Sequence, residues 1–598
     1  MKKHNIYQVF TRLFGNTNSN NQAWGTIEEN GVGKFSDFSD HALEKIRQLG
    51  ITYIWYTGIP HHALVGDYTE IGVDNDHPHV VKGRAGSPYA VKDYYSVNPD
   101  LADNPAERNQ EFSALVKRTH NAGMKVIIDI VPNHVARVYK GRNNPDGVRD
   151  FGIDDNTHVE YQRDNNFYYI PGQRFQLPDT LAQQPPLGGE NHPDLQPPYQ
   201  EYPAKWTGNG SRLAKPKHDD WYETVKINYG VRPDGSNDFD HLPTEYRHRS
   251  HQDHYQFWQG KSLPDSWYKF RDIALYWLQQ GVDGFRFDMA EMVPVEFWSF
   301  LNSAIKHANP ESVVIAEVYQ PALYRDYIQL GKMDYLYDKV DLYDTLKGII
   351  RQQASTSEIG RIQHELRDIE HHMLHFLDNH DEQRLACEHF AGSGEQGKPA
   401  MLVSTCLSSS PTMIYFGQEV GEVGAEMAGF GQPSRTSIFD YIGVPAHQRW
   451  MNHGRFDGAL LSESEKALRA FYSQLLNLAL SSSALTGDYH DLYAANYQNF
   501  TDMQHQLYAF ARSDDKQAVV IVTNFSREKG QAIELTIPHH LVTLWQLSSG
   551  HYDLIDKLNH TRYRMQVNQN GATIPIDLAP LATHFLCLDE LGEHIQSH

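Results

Sequence analysis

The sequence predicts a closed (β/α)₈ TIM barrel that carries a small inserted domain after its third strand and a C-terminal all-β sandwich domain. Three observations support this fold class. Eight short, β-rich apolar runs occur in roughly the first two thirds of the chain, helix-like segments separate them, and the pattern changes to alternating strands near residue 486. Strand–helix alternation favours a parallel sheet with right-handed crossovers, and eight such strands can close a barrel.

The predicted barrel strands are short and bounded by helix signals. Between the first two strands, the segment 40–49 has apolar residues at helical spacing and is followed by Gly50, which is typical of a helix and its C-terminal stop. The predicted strands lie at residues 6–10, 51–57, 125–131, 283–287, 313–317, 333–337, 373–377 and 412–416.

Two segments interrupt or follow the barrel pattern. About 150 residues rich in Pro, Gly, Asp, Asn and Tyr separate the third and fourth strands, and a loop of that length without its own structure is implausible in a compact domain. A helix at 463–480 opens with a capping-box pattern, and alternating strands follow it. We therefore predict barrel parts at 1–134 and 229–485, an inserted domain at 135–228 and a β domain at 486–598.

The composition excludes several classes of protein. The 598 residues include 53 basic and 75 acidic side chains, and the net charge of −22 disfavours nucleic acid or an anionic membrane as a partner. No apolar run of about 18 residues exists that could span a membrane. The N-terminal lysines are not followed by an apolar signal segment, so we expect a cytoplasmic location. Oligomeric state is not readable from the sequence.

Ionisable side chains occur at the C-terminal ends of several predicted strands. Asp288 ends the fourth strand, Glu317 ends the fifth and Asp381 follows the seventh. Because these ends meet at the mouth of a barrel, we expect the three carboxylates to converge. Arg286 lies on the same side of its strand as Asp288 by period-two alternation, and its charge would lessen the repulsion among the carboxylates.

A cluster of this kind suits cleavage of a glycosidic bond. One carboxylic acid donates a proton to the leaving oxygen, while one carboxylate attacks the anomeric carbon. For any one of these residues alone, a structural salt bridge inside the barrel is an equally good interpretation. The coincidence of four strand ends that carry such groups favours a catalytic site.

Four segments resemble the short conserved regions of the α-amylase family, glycoside hydrolase family 13. They occur in the family's order, around an insert after the third strand, and the match covers nearly the whole chain. The resemblance implies retaining cleavage of α-glucosidic bonds. The segments are Asp129-Ile-Val-Pro-Asn133-His134, Gly284-Phe-Arg286-Phe-Asp288, the strand that ends at Glu317, and Phe376-Leu-Asp-Asn-His380-Asp381.

The resemblance also implies a catalytic role for each carboxylate. Asp288 resembles the nucleophile that forms a covalent glycosyl-enzyme intermediate, and Glu317 resembles the general acid/base. Asp381 resembles the third carboxylate, which holds sugar hydroxyls. A retaining mechanism implies carboxyl groups of Asp288 and Glu317 roughly 5–5.5 Å apart.

Four further residues match substrate-binding positions of the family. Arg286 would keep Asp288 ionised, and His134 and His380 would hydrogen-bond sugar hydroxyls. Tyr89 would stack against the apolar face of the pyranose, although a core tyrosine is a plainer interpretation of it. In the predicted insert, Trp206 and Trp221 could shape outer subsites or pack in a core.

The match departs from the family pattern after the nucleophile. Many α-amylases have Ala-Ala-Lys-His there, whereas this chain has Met289-Ala290-Glu291-Met292, which reverses a charge near the acceptor side. Asn133 matches a family calcium ligand, so calcium is a possible but not a required cofactor. A hard-cation site needs about six oxygens, and the sequence does not identify the others.

Three functional hypotheses remain. The leading one is a retaining hydrolase of malto-oligosaccharides or related α-glucans, with a small carbohydrate as its partner. The alternative is a transglycosidase, either a 4-α-glucanotransferase or a sucrose- or trehalose-type enzyme, that uses the same residues. The third is an inactive binding protein of the same fold, which the presence of all three carboxylates disfavours.

Overall fold

The computed structural model describes residues 3–588 and residue 591. Eight strands close a parallel barrel in the order β1-β14-β13-β12-β11-β10-β5-β2. All eight predicted strands lie in this barrel, so the predicted fold class is confirmed. The first fourteen strands are β1 (Asn5–Phe10), β2 (Tyr53–Thr57), β3 (Pro60–His62), β4 (Val91–Val97), β5 (Lys125–Ile130), β6 (His134–Ala136), β7 (Tyr169–Ile170), β8 (Ala204–Lys205), β9 (Thr224–Lys226), β10 (Gly284–Phe287), β11 (Val313–Ala316), β12 (Tyr335–Tyr337), β13 (Met373–Phe376) and β14 (Thr412–Tyr415).

Strands β10 and β11 approach each other closely at Gly284. A Cβ atom at this position would lie 2.3 Å from the carbonyl oxygen of Val313, so only glycine fits there without a shift of the backbone. The strands then run in parallel register, with Phe287 beside Ala316. The next residue on each strand is a carboxylate, and the register therefore brings Asp288 next to Glu317.

Most helices of the described chain belong to the barrel part, whereas the last two, at Tyr493–Asn496 and His539–Leu544, pack against strands of the C-terminal sheet. Helix α3 begins after Ser39, whose side chain accepts a hydrogen bond from the amide of Ala42, and it buries the predicted apolar face. Helix α13 begins at the predicted capping box. The helices are α1 (Thr11–Phe14), α2 (Ile27–Asn30), α3 (Asp40–Gln48), α4 (Arg108–Asn121), α5 (His251–Trp258), α6 (Asp265–Gln279), α7 (Val295–Ala308), α8 (Tyr324–Gln329), α9 (Asp344–Ile350), α10 (Ser357–Leu366), α11 (Lys398–Cys406), α12 (Pro445–Met451), α13 (Glu463–Ser481), α14 (Tyr493–Asn496) and α15 (His539–Leu544).

The segment between β5 and β10 is held by short strand pairs and an aromatic cluster. Strand β6 pairs with β9 and β7 pairs with β8, all antiparallel. Trp206 stacks on Tyr168 with ring centroids 4.2 Å apart and is 6% exposed, which favours the packing interpretation of this tryptophan. The boundaries 135–228 stay a prediction.

The C-terminal part forms one antiparallel sheet in the order β15-β16-β17-β22-β19-β20-β21-β18. Strands β19 and β22 connect the two halves of the sheet through a short ladder, in which Ile555 pairs with Cys587 and Asp556 with Leu586. The strands are β15 (Asp488–Asp491), β16 (Leu507–Ser513), β17 (Ala518–Asn524), β18 (Gln531–Pro538), β19 (Gly550–Asp556), β20 (Thr561–Asn568), β21 (Gly571–Leu578) and β22 (Thr583–Leu588).

The barrel and the C-terminal sheet share a buried contact. Every residue of α11 except Lys398 is buried, and α11 packs against β17 and β22. The fully buried guanidinium of Arg512 on β16 donates hydrogen bonds to the carbonyls of Leu407 (2.8 Å), Leu485 (3.2 Å) and Gly487 (2.6 Å). One cation thus joins the end of a barrel helix to the start of the sheet.

No helix within the described residues is both long enough and apolar enough to cross a membrane.

Candidate active site

The guanidinium of Arg286 connects carboxylates from three neighbouring barrel strands. Its Nη1 donates to Oδ1 of Asp288 at 2.8 Å and to Oδ1 of Asp129 at 3.2 Å, and its Nη2 donates to Oε2 of Glu317 at 3.1 Å. Strand register explains this arrangement, because Arg286 lies directly beside Asp129 of β5. Arg286 is 0% exposed, so these charge-assisted hydrogen bonds form away from bulk water.

Glu317 accepts hydrogen bonds at both carboxylate oxygens. The hydroxyl of Tyr319 donates to Oε1, and the backbone amide of Met289 donates to Oε2 at 2.9 Å. Met289 has a left-handed backbone conformation, with φ of 45°, at the turn where its amide binds Glu317. Burial raises the pKa of Glu317 to about 7, and the nearby Asp288 and Asp381 contribute in the same direction against the opposing charge of Arg286.

The other two predicted catalytic carboxylates differ in their electrostatic surroundings. Burial raises the pKa of Asp288, with repulsion from Asp381 in the same direction, while Arg286 opposes the shift. Burial also raises the pKa of Asp381, but His380, Arg286 and Arg435 outweigh it and hold that pKa below its usual value. Asp381 is therefore the carboxylate of the site that most readily stays ionised.

His380 connects Asp381 with Tyr89. Its Nε2 lies 3.0 Å from Oδ2 of Asp381 and also contacts the Tyr89 hydroxyl. Its Nδ1 lies 2.8 Å from the side-chain amide nitrogen of Gln8. Because that nitrogen can only donate, Nδ1 is the acceptor, and the ring proton that faces Asp381 lies on Nε2. The rings of Tyr89 and His380 stack at a centroid distance of 5.2 Å.

His134 lies next to Trp221. The two ring centroids are 5.4 Å apart, and the amide of Asn133 contacts Nδ1 of His134 at 3.0 Å. Burial lowers the pKa of His134 to about 3, so the ring is neutral at physiological pH.

A pocket of about 370 Å³ opens over these groups. The predicted residues that line it are Tyr89, His134, Asp288, Glu317 and Asp381. The other two predicted binding residues, Arg286 and His380, are buried and make the hydrogen bonds described above with residues of the lining.

Eleven further residues of the described chain line the pocket without having been predicted as site residues, and they include Lys82, Trp221, Glu223, Tyr319 and Arg435. Tyr319 stands two residues after Glu317, and its place at a strand end was an available signal. Lys82, Glu223 and Arg435 come from distant segments, where no local pattern could indicate them. Trp221 was considered only as an outer-subsite or core residue.

Glu291, which by its sequence position reverses a charge near the acceptor side, binds the backbone after Glu317. Its Oε2 accepts hydrogen bonds from the backbone amides of Tyr319 at 2.9 Å and Gln320 at 3.0 Å. Glu291 therefore fixes the start of the loop that follows Glu317. Of these three residues, Tyr319 lines the pocket, whereas Glu291 and Gln320 do not.

The surroundings of Asn133 do not fit the predicted role of a calcium ligand. The ammonium group of Lys226 on β9 donates to Oδ1 of Asn133, and it lies 3.5 Å from the carbonyl oxygen of Met292. A calcium ion takes six to eight oxygens. Here a protein cation faces the amide oxygen, and the described residues hold no group of three or more His, Cys, Asp or Glu that could bind a metal. Asn133 is instead an acceptor for Lys226.

Comparisons with known proteins agree with this fold. A family model described as alpha amylase, catalytic domain, matches residues 8–179 and 246–443. The chain is 23% identical over 561 residues to neopullulanase 2 of Thermoactinomyces vulgaris, covering 90% of this chain and 72% of that protein. It is 21% identical over 534 residues to a cyclomaltodextrinase of Bacillus sp, covering 87% and 72%.

Solved structures share the fold along nearly the full chain. An α-amylase from Geobacillus thermoleovorans, complexed with acarbose, aligns with a TM-score of 0.59 at 18% identity and 98% coverage of both chains. A noncanonic maltogenic α-amylase from Thermotoga neapolitana aligns with a TM-score of 0.57 at 16% identity, again with 98% coverage of both. At these identities the likeness shows the fold alone.

Proposed function

This chain belongs to the α-amylase family of glycoside hydrolases, and we propose that its barrel pocket hydrolyses α-glucosidic bonds of malto-oligosaccharides or related short α-glucans with retention of configuration. The observation that carries the proposal is the shared guanidinium of Arg286, which binds Asp288 and Glu317 at once. Two carboxyl groups held this way suit a double displacement, for which the separation of about 5–5.5 Å stays a prediction.

In the proposed first step, Asp288 attacks the anomeric carbon while Glu317 gives its proton to the departing glycosidic oxygen. The bond between that oxygen and the anomeric carbon breaks, and a bond from Asp288 Oδ to the carbon forms. The raised pKa of Glu317, about 7, supports its role as the acid, because the proton is still present in neutral solution.

In the second step, Glu317 accepts a proton from water, whose oxygen attacks the anomeric carbon and releases Asp288. At the end of the cycle Glu317 is protonated again and Asp288 is a free carboxylate again, so the proposed cycle needs no cofactor. Asp381, held ionised by its neighbours, accepts hydrogen bonds from sugar hydroxyls in this proposal. The neutral ring of His134 and the ring of His380 contribute further hydrogen bonds, and Tyr89 packs on the pyranose.

Hydrolysis is favoured over transfer to a sugar acceptor. The relatives that align along most of the chain are named neopullulanase and cyclomaltodextrinase, and these names support a hydrolase of short or cyclic α-glucans. The cytoplasmic location stays a prediction, which fractionation of the source cells would test.

The proposal is tested with maltoheptaose and an Asp288→Asn variant. The wild-type protein should release shorter products only, and proton NMR at early times should show that the new reducing ends are in the α form. Asp288→Asn should lose at least about a thousandfold in kcat while the protein remains folded. The matched control is Asp272→Asn on α6, which removes an exposed carboxylate and should keep normal turnover.

Two outcomes would contradict the proposal. A near-normal rate of Asp288→Asn would remove the nucleophile assignment, and β-configured first products would exclude retention. Longer products alongside the shorter ones would show that transfer competes with hydrolysis.

A further inference from the structure

A second pocket, here called the Trp24 pocket, lies beside the active-site pocket and has a volume of about 540 Å³. Five separate segments form it: the loop after β1 at Trp24, the stretches 78–83, 181–188 and 218–222, and the loop after β14 at 427–433. This volume is within the range of pockets that hold small ligands. None of the roles assigned so far uses it.

The Trp24 pocket shares walls with the active-site pocket. Lys82 and Trp221 line the active-site pocket, whereas their chain neighbours Val81 and Tyr222 line the Trp24 pocket. An ion pair of 2.6 Å between Lys82 and Glu223 ties these two wall segments together. One layer of residues therefore separates the two pockets. A linear ligand in the active site would pass over this layer to reach the Trp24 pocket.

Trp24 is held firmly in its position. Its backbone amide donates to the carbonyl of Ala428 at 3.1 Å, and its own carbonyl accepts from Nε of Arg84 at 2.8 Å. Two glycines pack directly against it: a Cβ on Gly188 would lie 2.6 Å from Trp24 Cδ1, and a Cβ on Gly429 would lie 2.8 Å from the Trp24 amide nitrogen. Both glycines also have positive φ. A larger residue at either position would therefore both clash with Trp24 and adopt an unfavourable backbone conformation.

The lining suits a neutral ligand with both an apolar and a hydroxyl-bearing surface. Of the described residues that line the pocket, none is Asp, Glu, Lys or Arg, although the chain carries a net charge of −22. The half-buried ring of Trp24 offers an aromatic surface, and Gln184 and Gln432 supply exposed amides. Nδ1 of His218 is shielded from solvent and has no hydrogen-bond partner among the described residues.

We propose that the Trp24 pocket binds one or two glucosyl units of the same α-glucan chain whose other units occupy the active site. A pyranose has an apolar face that packs on an aromatic ring and a rim of hydroxyls that hydrogen-bond to amides and imidazole. Because only one wall of residues separates the two pockets, the same chain, passing over that wall, is the occupant. This inference rests on the proposed function and adds a preference for substrates long enough to reach both pockets.

The test compares two substrate lengths in two variants. Trp24→Ala should lower kcat/KM about tenfold for maltoheptaose and less for maltotriose, whereas Trp24→Phe should retain most of the activity on both. Met427→Glu places a charge in the pocket at a side chain that is 68% exposed, so it should fold normally and show the same dependence on chain length. Thermal unfolding checks that each variant is folded.

Equal losses for both substrates, or no loss for either, would overturn the proposal, because only a remote binding site makes the defect depend on length. If the wild-type protein cleaves neither substrate, the proposed function fails separately. Calorimetric binding of maltoheptaose to Asp288→Asn and to Asp288→Asn/Trp24→Ala then still tests the pocket. At least about tenfold weaker binding in the double variant supports the proposal, and equal affinity overturns it.

Discussion

At the scale of single residues, the proton on Glu317 should decide how activity depends on pH. Burial raises the pKa of Glu317 to about 7, so the acid form needed in the first step persists from low pH up to neutrality and is lost above it. We expect kcat/KM on maltotriose to fall as the pH rises through about 7. Initial rates across pH 4 to 10 measure this. An alkaline limb centred above about pH 9 would contradict the assignment of Glu317 as the acid.

Removal of the Tyr319 hydroxyl should move that alkaline limb upward. The hydroxyl donates to Oε1 of Glu317 and stabilises the carboxylate, so its loss raises the pKa of Glu317. In Tyr319→Phe we expect the limb of the kcat/KM profile to shift by about one pH unit or less to higher pH. The control Tyr497→Phe changes an exposed tyrosine of the C-terminal part and should leave the profile in place. An unshifted limb in Tyr319→Phe would show that the hydrogen bond does not tune the acid.

Site residues whose positions follow from the local strand pattern could be predicted from the sequence. Those whose positions depend on contacts between distant loops could not. Asp288 and Glu317 could be predicted because they end buried strands whose register is set by the barrel. Glu291 illustrates the limit: its two hydrogen bonds go to backbone amides at 319 and 320, and only the folded positions of both loops bring them together.

At the scale of elements, Lys226 on β9 should make the protein's stability independent of calcium. Its ammonium faces the amide oxygen of Asn133 and approaches the carbonyl of Met292, and it joins the insert to the ends of β5 and β10. We expect EDTA to leave Tm unchanged and added calcium to raise it by less than about 1 °C, since a bound ion would raise it by mass action. A saturable increase in Tm with calcium would contradict this role of Lys226.

Substitution of Lys226 itself makes the calcium test more specific. Lys226→Ala leaves Asn133 Oδ1 without its donor, and we expect a loss of about 1–3 kcal/mol in the free energy of unfolding that calcium does not restore. The control is Lys217→Ala, an exposed lysine of the insert, which should stay within about 0.5 kcal/mol of wild type.

Burial explains which strands the sequence revealed. The eight barrel strands are short apolar runs, and they were all predicted. The C-terminal strands β19 and β20 expose most of their residues and give a weaker pattern; β20 buries only Met565 and Val567. The pairs β6–β9 and β7–β8 have two or three residues each and are defined by their partners rather than by a pattern of their own.

At the scale of the whole molecule, Arg512 should couple the barrel to the C-terminal sheet. Its guanidinium donates to carbonyls on both sides of the contact. Arg512→Met would remove the donor of the Leu485 and Gly487 carbonyls, while the Leu407 carbonyl would keep its hydrogen bond from the side-chain amide of Gln363. We expect a loss of about 3 kcal/mol or more in the free energy of unfolding, measured by denaturant titration. Arg562→Met on β20, whose side chain is 69% exposed, is the control and should change stability little.

Calorimetry adds a second readout of the same contact. Because α11 is buried between the barrel and the sheet, we expect one heat-absorption peak for the wild-type protein. Two well-separated peaks, or an Arg512→Met variant as stable as its control, would show that the two parts unfold independently.

The order of barrel, insert and C-terminal sheet could be predicted from sequence periodicity, whereas the pockets could not. The Trp24 pocket is formed by segments that are far apart in the chain, near residues 24, 80, 185, 220 and 430. Nothing local to Trp24 indicates that glycines from two other segments will pack against it.

The left-handed backbone at Met289 has a consequence for how such a chain can evolve. A non-glycine residue in this conformation costs roughly 1–2 kcal/mol, and glycine would avoid the cost. The chain nevertheless keeps a methionine directly after Asp288, where the peptide N–H reaches Glu317. Selection for heat resistance alone would favour glycine at this position, and selection for a rigid, correctly aimed amide would oppose it. Position 289 is thus a place where adaptation to temperature and adaptation to turnover pull in different directions.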